Sequence, residues 1–397
     1  MDRRWPRGLF YVCWILTVIG LGVRVWRDPS FAGLYDQELD ALLYSGQRLL
    51  RGGLLYADHF LAVQPLAQYL YAPSAWVGSL QLHRLLIFLV DLAAAALLVR
   101  ALRRLAQAGL MPLREGSVIP PMSAVLFLVL SQMFQGGAAG HLQHYANLFL
   151  VAALFFLSGF LRLRAGIGES AREGGRIPLL LTGVSLFLAI GCFTTLASPI
   201  LIAAVVVLVQ SRRPLPALGL VLLGALLAAL VVFLPYLWIP GGPALALAGA
   251  VLLPLQWTGR SLVEVSELPQ VGADLLRTNV AGLPVWLLCL VPALGLIRLV
   301  RRQWRSPAIG SDQPLLVAAI ALIMLVDMGW SLQRGHVESH DLLLLVLPLL
   351  LLIASGLADL EGHARRGSRG LAVTSLLVFS LLFLNNIFVP AVFGTPR

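Results

Sequence analysis

The feature that most constrains this chain is where its basic residues fall. All 29 are arginines, and 20 of them sit in six short clusters: Arg3/Arg4/Arg7, Arg100/Arg103/Arg104/Arg114, Arg162/Arg164/Arg172/Arg176, Arg212/Arg213, Arg298/Arg301/Arg302/Arg305 and Arg365/Arg366/Arg369. Between the clusters run long apolar stretches, and a bilayer-crossing helix needs about 20 such residues. Loops on the cytoplasmic side of a membrane carry the excess of arginine. Placing every cluster on that side leaves one consistent threading. The N-terminus is inside, and spans fall at about 8–25, 82–103, 118–135 and 145–162. Two short spans fall within 178–211, and the remaining five at about 215–238, 276–299, 313–331, 341–358 and 370–392. The expected fold is therefore all-α, a polytopic membrane protein of about 11 transmembrane helices, forming a single integral membrane domain over residues 1–397.

The threading forces one unexpected assignment. Only one span fits between residues 26 and 100, and Leu82–Arg103 fills it best. Pro65–Val77 is apolar enough to tempt, but it holds two glutamines close by, two tyrosines and two prolines. It is expected to be an interfacial helix instead. Residues 26–81 then form one long extracytoplasmic loop, and 239–275 a second extracytoplasmic segment. The first apolar run follows three arginines, as in a signal peptide, but no small-residue cleavage site follows it. It is expected to remain as an anchor.

Composition agrees. The chain is 59% hydrophobic and 12% charged, with mean hydropathy +0.86, against about 45–50% and about 25% for soluble domains. The net charge of +10 does not point to nucleic acid, because no basic stretch is long enough to follow a phosphate backbone. Cys13, Cys192 and Cys289 lie in or beside apolar runs, with no metal or disulfide spacing.

Chemistry concentrates in Leu34–Tyr71. Asp36, Glu38 and Asp40 place three carboxylates in five residues. In a helix Asp36 and Asp40 share a face; in an extended segment all three do. Crowded carboxylates at a membrane surface raise one another's proton affinity, which suits a general base. A solvated acidic loop is the plain alternative. Arg48 and Arg51 stand three apart on the arginine-poor face, where a phosphate partner or a salt bridge would explain them. Arg84 opens the second span, fit for phosphate contact or snorkelling. His141/His144 and His336/His340 have spacings that can ligate a divalent metal if they converge with carboxylates. Hydrogen-bonding histidines at helix ends is the plainer reading, and no cofactor is expected. Asp91 and Asp327 lie within spans, where a carboxyl is costly; for Asp91 a buried polar pair joining helices is the expectation.

The order of motifs carries a resemblance. An early acidic motif is followed by LLRGGLLYADHF (49–60), with Gly52, Tyr56 and Asp58, then by PLAQY (65–69), with Pro65, Leu66 and Tyr69. Later come HLQHYANLFLVAALFF (141–156) and HDLLLLVLPLLLLIASGL (340–357). This arrangement resembles the C-type glycosyltransferase superfamily, the bacterial relatives of protein O-mannosyltransferases and lipid A aminoarabinose transferase, over residues 1–160 and more weakly over 330–358. The resemblance implies an inverting enzyme of the bacterial inner membrane. It would move a sugar from a polyprenyl-phosphate donor to an extracytoplasmic lipid, glycan or protein acceptor. It implies Glu38, Asp36 or Asp40 as the base, with Glu38 in register. It also implies Arg48, Arg51, Tyr56, Asp58, His59, Tyr69, Arg84, His141, His144, Arg334, His336 and His340 around donor phosphate and sugar. Many members carry a lysine facing the lipid phosphate in the turn between spans 5 and 6. Here that turn reads FTTLASP (193–199), so an arginine elsewhere would have to supply the charge. A non-catalytic protein, or a transporter or polymerase of lipid-linked glycans, is the competing expectation. It would place functional charges deep within spans.

Overall fold

The structure is a computed structural model. It describes residues 4–27, 37–133 (apart from 62, 112, 114 and 115), 141–164, 175–193, 198–252 (apart from 212), 317–324 and 343–363, with the short pieces 279–280, 283–284, 297 and 301. The described elements are α1 (Arg4–Arg27), α2 (Gln37–Leu50), α3 (Pro65–Val77), α4 (Leu80–Gln107), α5 (Ile119–Met133), α6 (Leu142–Arg164), α7 (Arg176–Cys192), α8 (Ser198–Gln210), α9 (Pro214–Phe233), α10 (Gly242–Leu247) and α11 (Val346–His363). A 3-10 turn, Leu234–Trp238, extends α9, and a π turn, Ala248–Leu252, extends α10.

Among the described residues, three helices are long and apolar enough to cross a membrane: Leu80–Gln107, Leu142–Arg164 and Pro214–Trp238. At 1.5 Å per residue the shortest of them is roughly 35 Å long, more than the hydrocarbon core of a bilayer. The others described are shorter or less apolar. The helical break expected within 178–211 is present, since α7 stops at Cys192 and α8 starts at Ser198.

The centre of the bundle is α4 against α6, with α5 beside them and α7 on the far face of α6. α4 and α6 run parallel. At one end Arg104 donates from Nη1 to the Phe155 carbonyl (3.0 Å) and lies over the Phe155 ring (3.7 Å), while Arg162 reaches Gln107 (3.3 Å). Two clusters separated in sequence, at 100–104 and 162–164, therefore share one end of the bundle, as the arginine rule requires. α7 and α9 meet backbone to backbone. A Cβ on Gly183 would lie 1.8 Å from the Val221 carbonyl oxygen, and one on Gly224 would lie 2.0 Å from that of Leu180. Small residues give membrane helices this kind of close contact.

α3 has the bounds expected from sequence, and its ends explain why. Gln64 is extended and Pro65 opens the helix, where a missing N–H costs nothing. Gly78, in the left-handed region at φ 67°, closes it. At 13 residues it is about 20 Å long, too short to cross. It is not laid bare on a surface: Leu66, Ala67, Gln68, Tyr71, Ala72 and Ser74 are buried against neighbouring helices, leaving Pro73, Trp76 and Val77 exposed.

One short piece departs from expectation. Within the span expected over about 276–299, Asn279–Val280 and Leu283–Pro284 pair as two short antiparallel strands; Ile297 is helical, and the rest of that stretch lies outside the described residues. Pro284 suits this local departure, since proline removes a helix donor and disfavours helical geometry in the residue before it. Apart from this ladder and an isolated bridge between Leu55 and His59, the described regular structure is helical.

Candidate functional site

The loop after α2 is built by its own sequence. Gly52, at φ 83°, ends α2 in the left-handed conformation, and Gly53 N–H returns to the Arg48 carbonyl (2.9 Å). Asp58 Oδ2 accepts the Leu54 N–H (2.7 Å), and Tyr56 N–H donates to the His59 carbonyl (2.7 Å). Tyr56 also sits at positive φ, 68°, a conformation that costs a non-glycine residue of order 1 kcal/mol and needs support. The support is visible. Its hydroxyl donates to the Val63 carbonyl, and its ring lies so close to Gly249 that a Cβ there would fall 2.6 Å from it. The second segment is thereby fastened to the first loop. Tyr236 Oη donates to the Leu55 carbonyl (2.8 Å), and Gln64 Nε2 to the Ala250 carbonyl.

Gln68 is the tie that sequence reading missed. Fully buried on α3, it accepts the Leu55 N–H (3.1 Å) and donates to the carbonyls of Ser45 (3.1 Å) and Gly53 (3.0 Å). One amide thus fixes α2, the loop and α3 together. The only prior sign was an amide in an apolar helix, which burial obliges to find partners. Gly46 completes the seat, since a Cβ there would meet the Tyr71 backbone at 2.7 Å.

Against this scaffold the predicted residues separate. Glu38 stands in the first turn of α2, partly exposed, and its Oε2 lies 3.7 Å from Nδ1 of buried His141. Asp40 is exposed. Arg48 is half-buried, and its Nε is buried with no hydrogen-bond partner. Arg51 is exposed and lies in the turn beyond the last residue of α2, so the two arginines do not share one helical face. His59 Nε2 meets the Ser45 hydroxyl (2.9 Å), its ring stands edge-on to Tyr44 (6.0 Å), and its Nδ1 is buried without a partner. Burial lowers the proton affinity of His59 below the ordinary histidine range, and Arg48 lowers it further while Asp58 opposes both. Burial alone raises that of Tyr56 and of Tyr69, whose hydroxyl donates to the Val232 carbonyl (3.3 Å). Arg84 is buried at the start of α4, next to His83, which meets Ser74 at 2.8 Å. Tyr56, Asp58 and Tyr69 therefore hold backbone in place.

His144 lies elsewhere. It is buried inside the bundle, with Nδ1 3.0 Å from both carboxyl oxygens of Asp91, and Gln132 Nε2 donates to Asp91 Oδ2 (2.6 Å). Asp91, His144 and Gln132 come from α4, α6 and α5, so the expected polar pair is a three-helix junction. It sits in the interior, away from the solvent a substrate would arrive through. Asp36, Arg334, His336 and His340, with Asp327, lie outside the described residues. Among the described residues no three metal-ligating side chains come together. No family model matches this chain, and no curated protein matches it.

Proposed function

We propose that this protein is an inverting membrane glycosyltransferase of about eleven spans that takes its sugar from a polyprenyl-phosphate donor on the extracytoplasmic face of the bacterial inner membrane. The supporting observation is the contact between Glu38 and His141. It joins the acidic start of the first loop to the residue just before α6, two segments remote in sequence that both carry motifs of the resemblance. The partly exposed Glu38 carboxylate accepts the proton of an acceptor hydroxyl, and His141 behind it orients the carboxylate. The acceptor oxygen attacks the anomeric carbon from the face opposite the phosphate. The bond from that carbon to the phosphate oxygen breaks, and the polyprenyl phosphate leaves with the electron pair. Outside the cytoplasm nucleotide sugars are absent, so a lipid-borne donor is the chemistry that fits the location. Arginine charge near the loop then stabilises the departing phosphate.

The test is transfer or hydrolysis of radiolabelled polyprenyl-phosphate hexoses and pentoses by the full-length protein in proteoliposomes. Sugar release that E38Q abolishes is the expected result. Release that survives in E38Q and D36N alike, or no release from any donor, overturns the reading.

A further inference from the structure

An apolar cleft lies apart from the Glu38 loop. It runs between α6 and α8, which touch at only a few points, and Leu186 of α7, Ile320 and Leu347 of α11 close its sides. Residues from Leu150 to Leu161 line it along α6 and residues from Pro199 to Gln210 along α8, so it extends about 16 Å along the helices. That is half of the roughly 30 Å hydrocarbon core, the depth of one leaflet's acyl chains. Its walls offer no free polar group within that depth. The Ser158 hydroxyl donates to the Phe155 carbonyl (2.8 Å) and the Thr182 hydroxyl to the Pro178 carbonyl (2.8 Å), so both are spent on their own helices. Gln210 stands at the last position of α8. An apolar cavity takes an apolar guest in preference to water, and a gap left empty between helices forfeits their dispersion contacts.

One end of the cleft meets the arginines. Leu105 and Leu161 line it, and each is the chain neighbour of a basic residue, Arg104 and Arg162. Arg104 is held against α6: its Nη1 donates to the Phe155 carbonyl (3.0 Å), its guanidinium lies 3.7 Å over the Phe155 ring, and a Cβ on Gly159 would fall 3.0 Å from Nη1. Arg162, one turn beyond Gly159, reaches Gln107 (3.3 Å), which is itself one turn beyond Arg104. A carbonyl, a ring and an amide position these two guanidinium groups, and none of them neutralises the charge. Among the described residues neither arginine makes an ion pair, and Arg162 Nε is buried without a hydrogen-bond partner. Two fixed cations at the end of a leaflet-deep apolar cleft match a phosphate that carries an acyl chain. From this geometry we infer that the cleft holds one acyl chain of an anionic phospholipid whose phosphate rests against Arg104 and Arg162. A cleft one leaflet deep fits a phospholipid better than a longer prenyl chain. The site lies at the far end of α6 from His141 and is independent of the transfer reaction proposed above.

The experiment measures lipid retention by native mass spectrometry of the full-length protein in maltoside micelles, titrated with dioleoyl phosphatidylglycerol, dioleoyl phosphatidylcholine or farnesyl phosphate. Phosphatidylglycerol should bind about tenfold or more tighter than phosphatidylcholine, the worth of one charge-assisted bond. R104Q and R162Q should each remove most of that preference, and R162K, which keeps the charge without the planar fork, should keep part of it. R103Q removes the same charge from an exposed neighbour and should change affinity by less than about twofold, because solvent screens it. A203F fills the cleft from buried Ala203 and should lower phosphatidylglycerol retention several-fold. Wild-type protein gives the same answer without relying on a variant to fold: phosphatidylglycerol with a diazirine in its acyl chain should label residues 150–161 and 199–210. Equal binding of the two phospholipids, a preference that survives in both R104Q and R162Q, or label confined to outward helix faces such as 222–231 means bulk solvating lipid and overturns the inference. Displacement of phosphatidylglycerol by an equal concentration of farnesyl phosphate makes the cleft a prenyl-lipid site and overturns it as well.

Discussion

Two carboxyl–histidine contacts lie within one turn of each other at the start of α6, and they differ in burial, distance and company. Asp91 and His144 are both fully buried, 3.0 Å apart, with Gln132 as a third partner. Glu38 and His141 are 3.7 Å apart, and the Glu38 side chain is 38% exposed. A pair shut inside the bundle is out of a substrate's reach, even though His144 Nε2 has no hydrogen-bond partner among the described residues. Its geometry is fixed by three helices, and its energy goes into holding them in register. A looser pair with one exposed member can exchange a partner for a proton or a ligand. The same two residue types therefore serve packing at Asp91 and chemistry at Glu38, and burial decides which.

The strongest way to break this division is to remove one acid from each pair. E38Q should cut sugar transfer by about a hundred- to ten-thousand-fold, the usual worth of a positioned general base, and leave the melting temperature in detergent unchanged. D91L should do the opposite, destabilising the protein by about 3–5 kcal/mol because His144 and Gln132 are left buried without their acceptor. The double variant D91L/H144L should recover part of that loss, since an apolar pair of similar volume can replace a buried polar one. If D91L folds normally but abolishes transfer, or the double variant is worse than the single one, Asp91 is functional and the comparison collapses.

Gln68 sharpens the contrast from the loop side. Its three bonds secure the segment that carries Arg48, Tyr56 and His59, so Q68L should cost on the order of 1–3 kcal/mol. It should also lower hydrogen-exchange protection over residues 45–60 more than over the α4–α6 core. Denaturant unfolding followed by hydrogen exchange resolved along the chain checks this. Uniform loss of protection would mean that Gln68 supports the whole bundle.

Much of this could be read before any coordinates. α3 was legible to its last residue because Pro65 and Gly78 are chain-level start and stop signals, and because arginine placement forbids a span there. The break between α7 and α8 and the shared basic end of α4 and α6 were legible for similar reasons. Asp91 announced the need for a partner, since a carboxyl inside a span is expensive. The sequence could not say that the partner is His144, because that depends on α4 and α6 lying parallel and in contact, a tertiary fact with no local signal. The roles of Tyr56, Asp58 and Tyr69 were hidden for a related reason: a motif shows that side chains recur together, not whether they face a ligand or their own backbone. At Asn279–Val280 and Leu283–Pro284, inside the span expected over 276–299, local chemistry at Pro284 outweighed apolar length.

A third histidine with an acid beside it in the chain, His59 with Asp58, is more exposed than either pair and makes the smallest but most direct test. Its folded-state proton affinity is below the ordinary value near 6.5, first because of burial, then because of Arg48, with Asp58 acting in the opposite sense. A histidine depressed in this way favours the folded state at pH above about 6.5, and that contribution is lost as the pH falls, because the unfolded chain takes up the proton first. R48Q removes one of the two lowering causes. The His59 midpoint, followed by NMR of the imidazole protons, should rise yet stop short of about 6.5 because burial remains. D58N removes the raising influence and should lower it further. A midpoint that ignores R48Q would mean that Arg48 and His59 do not share a field. The loop would then resemble the closed pair at Asp91 more than the open one at Glu38.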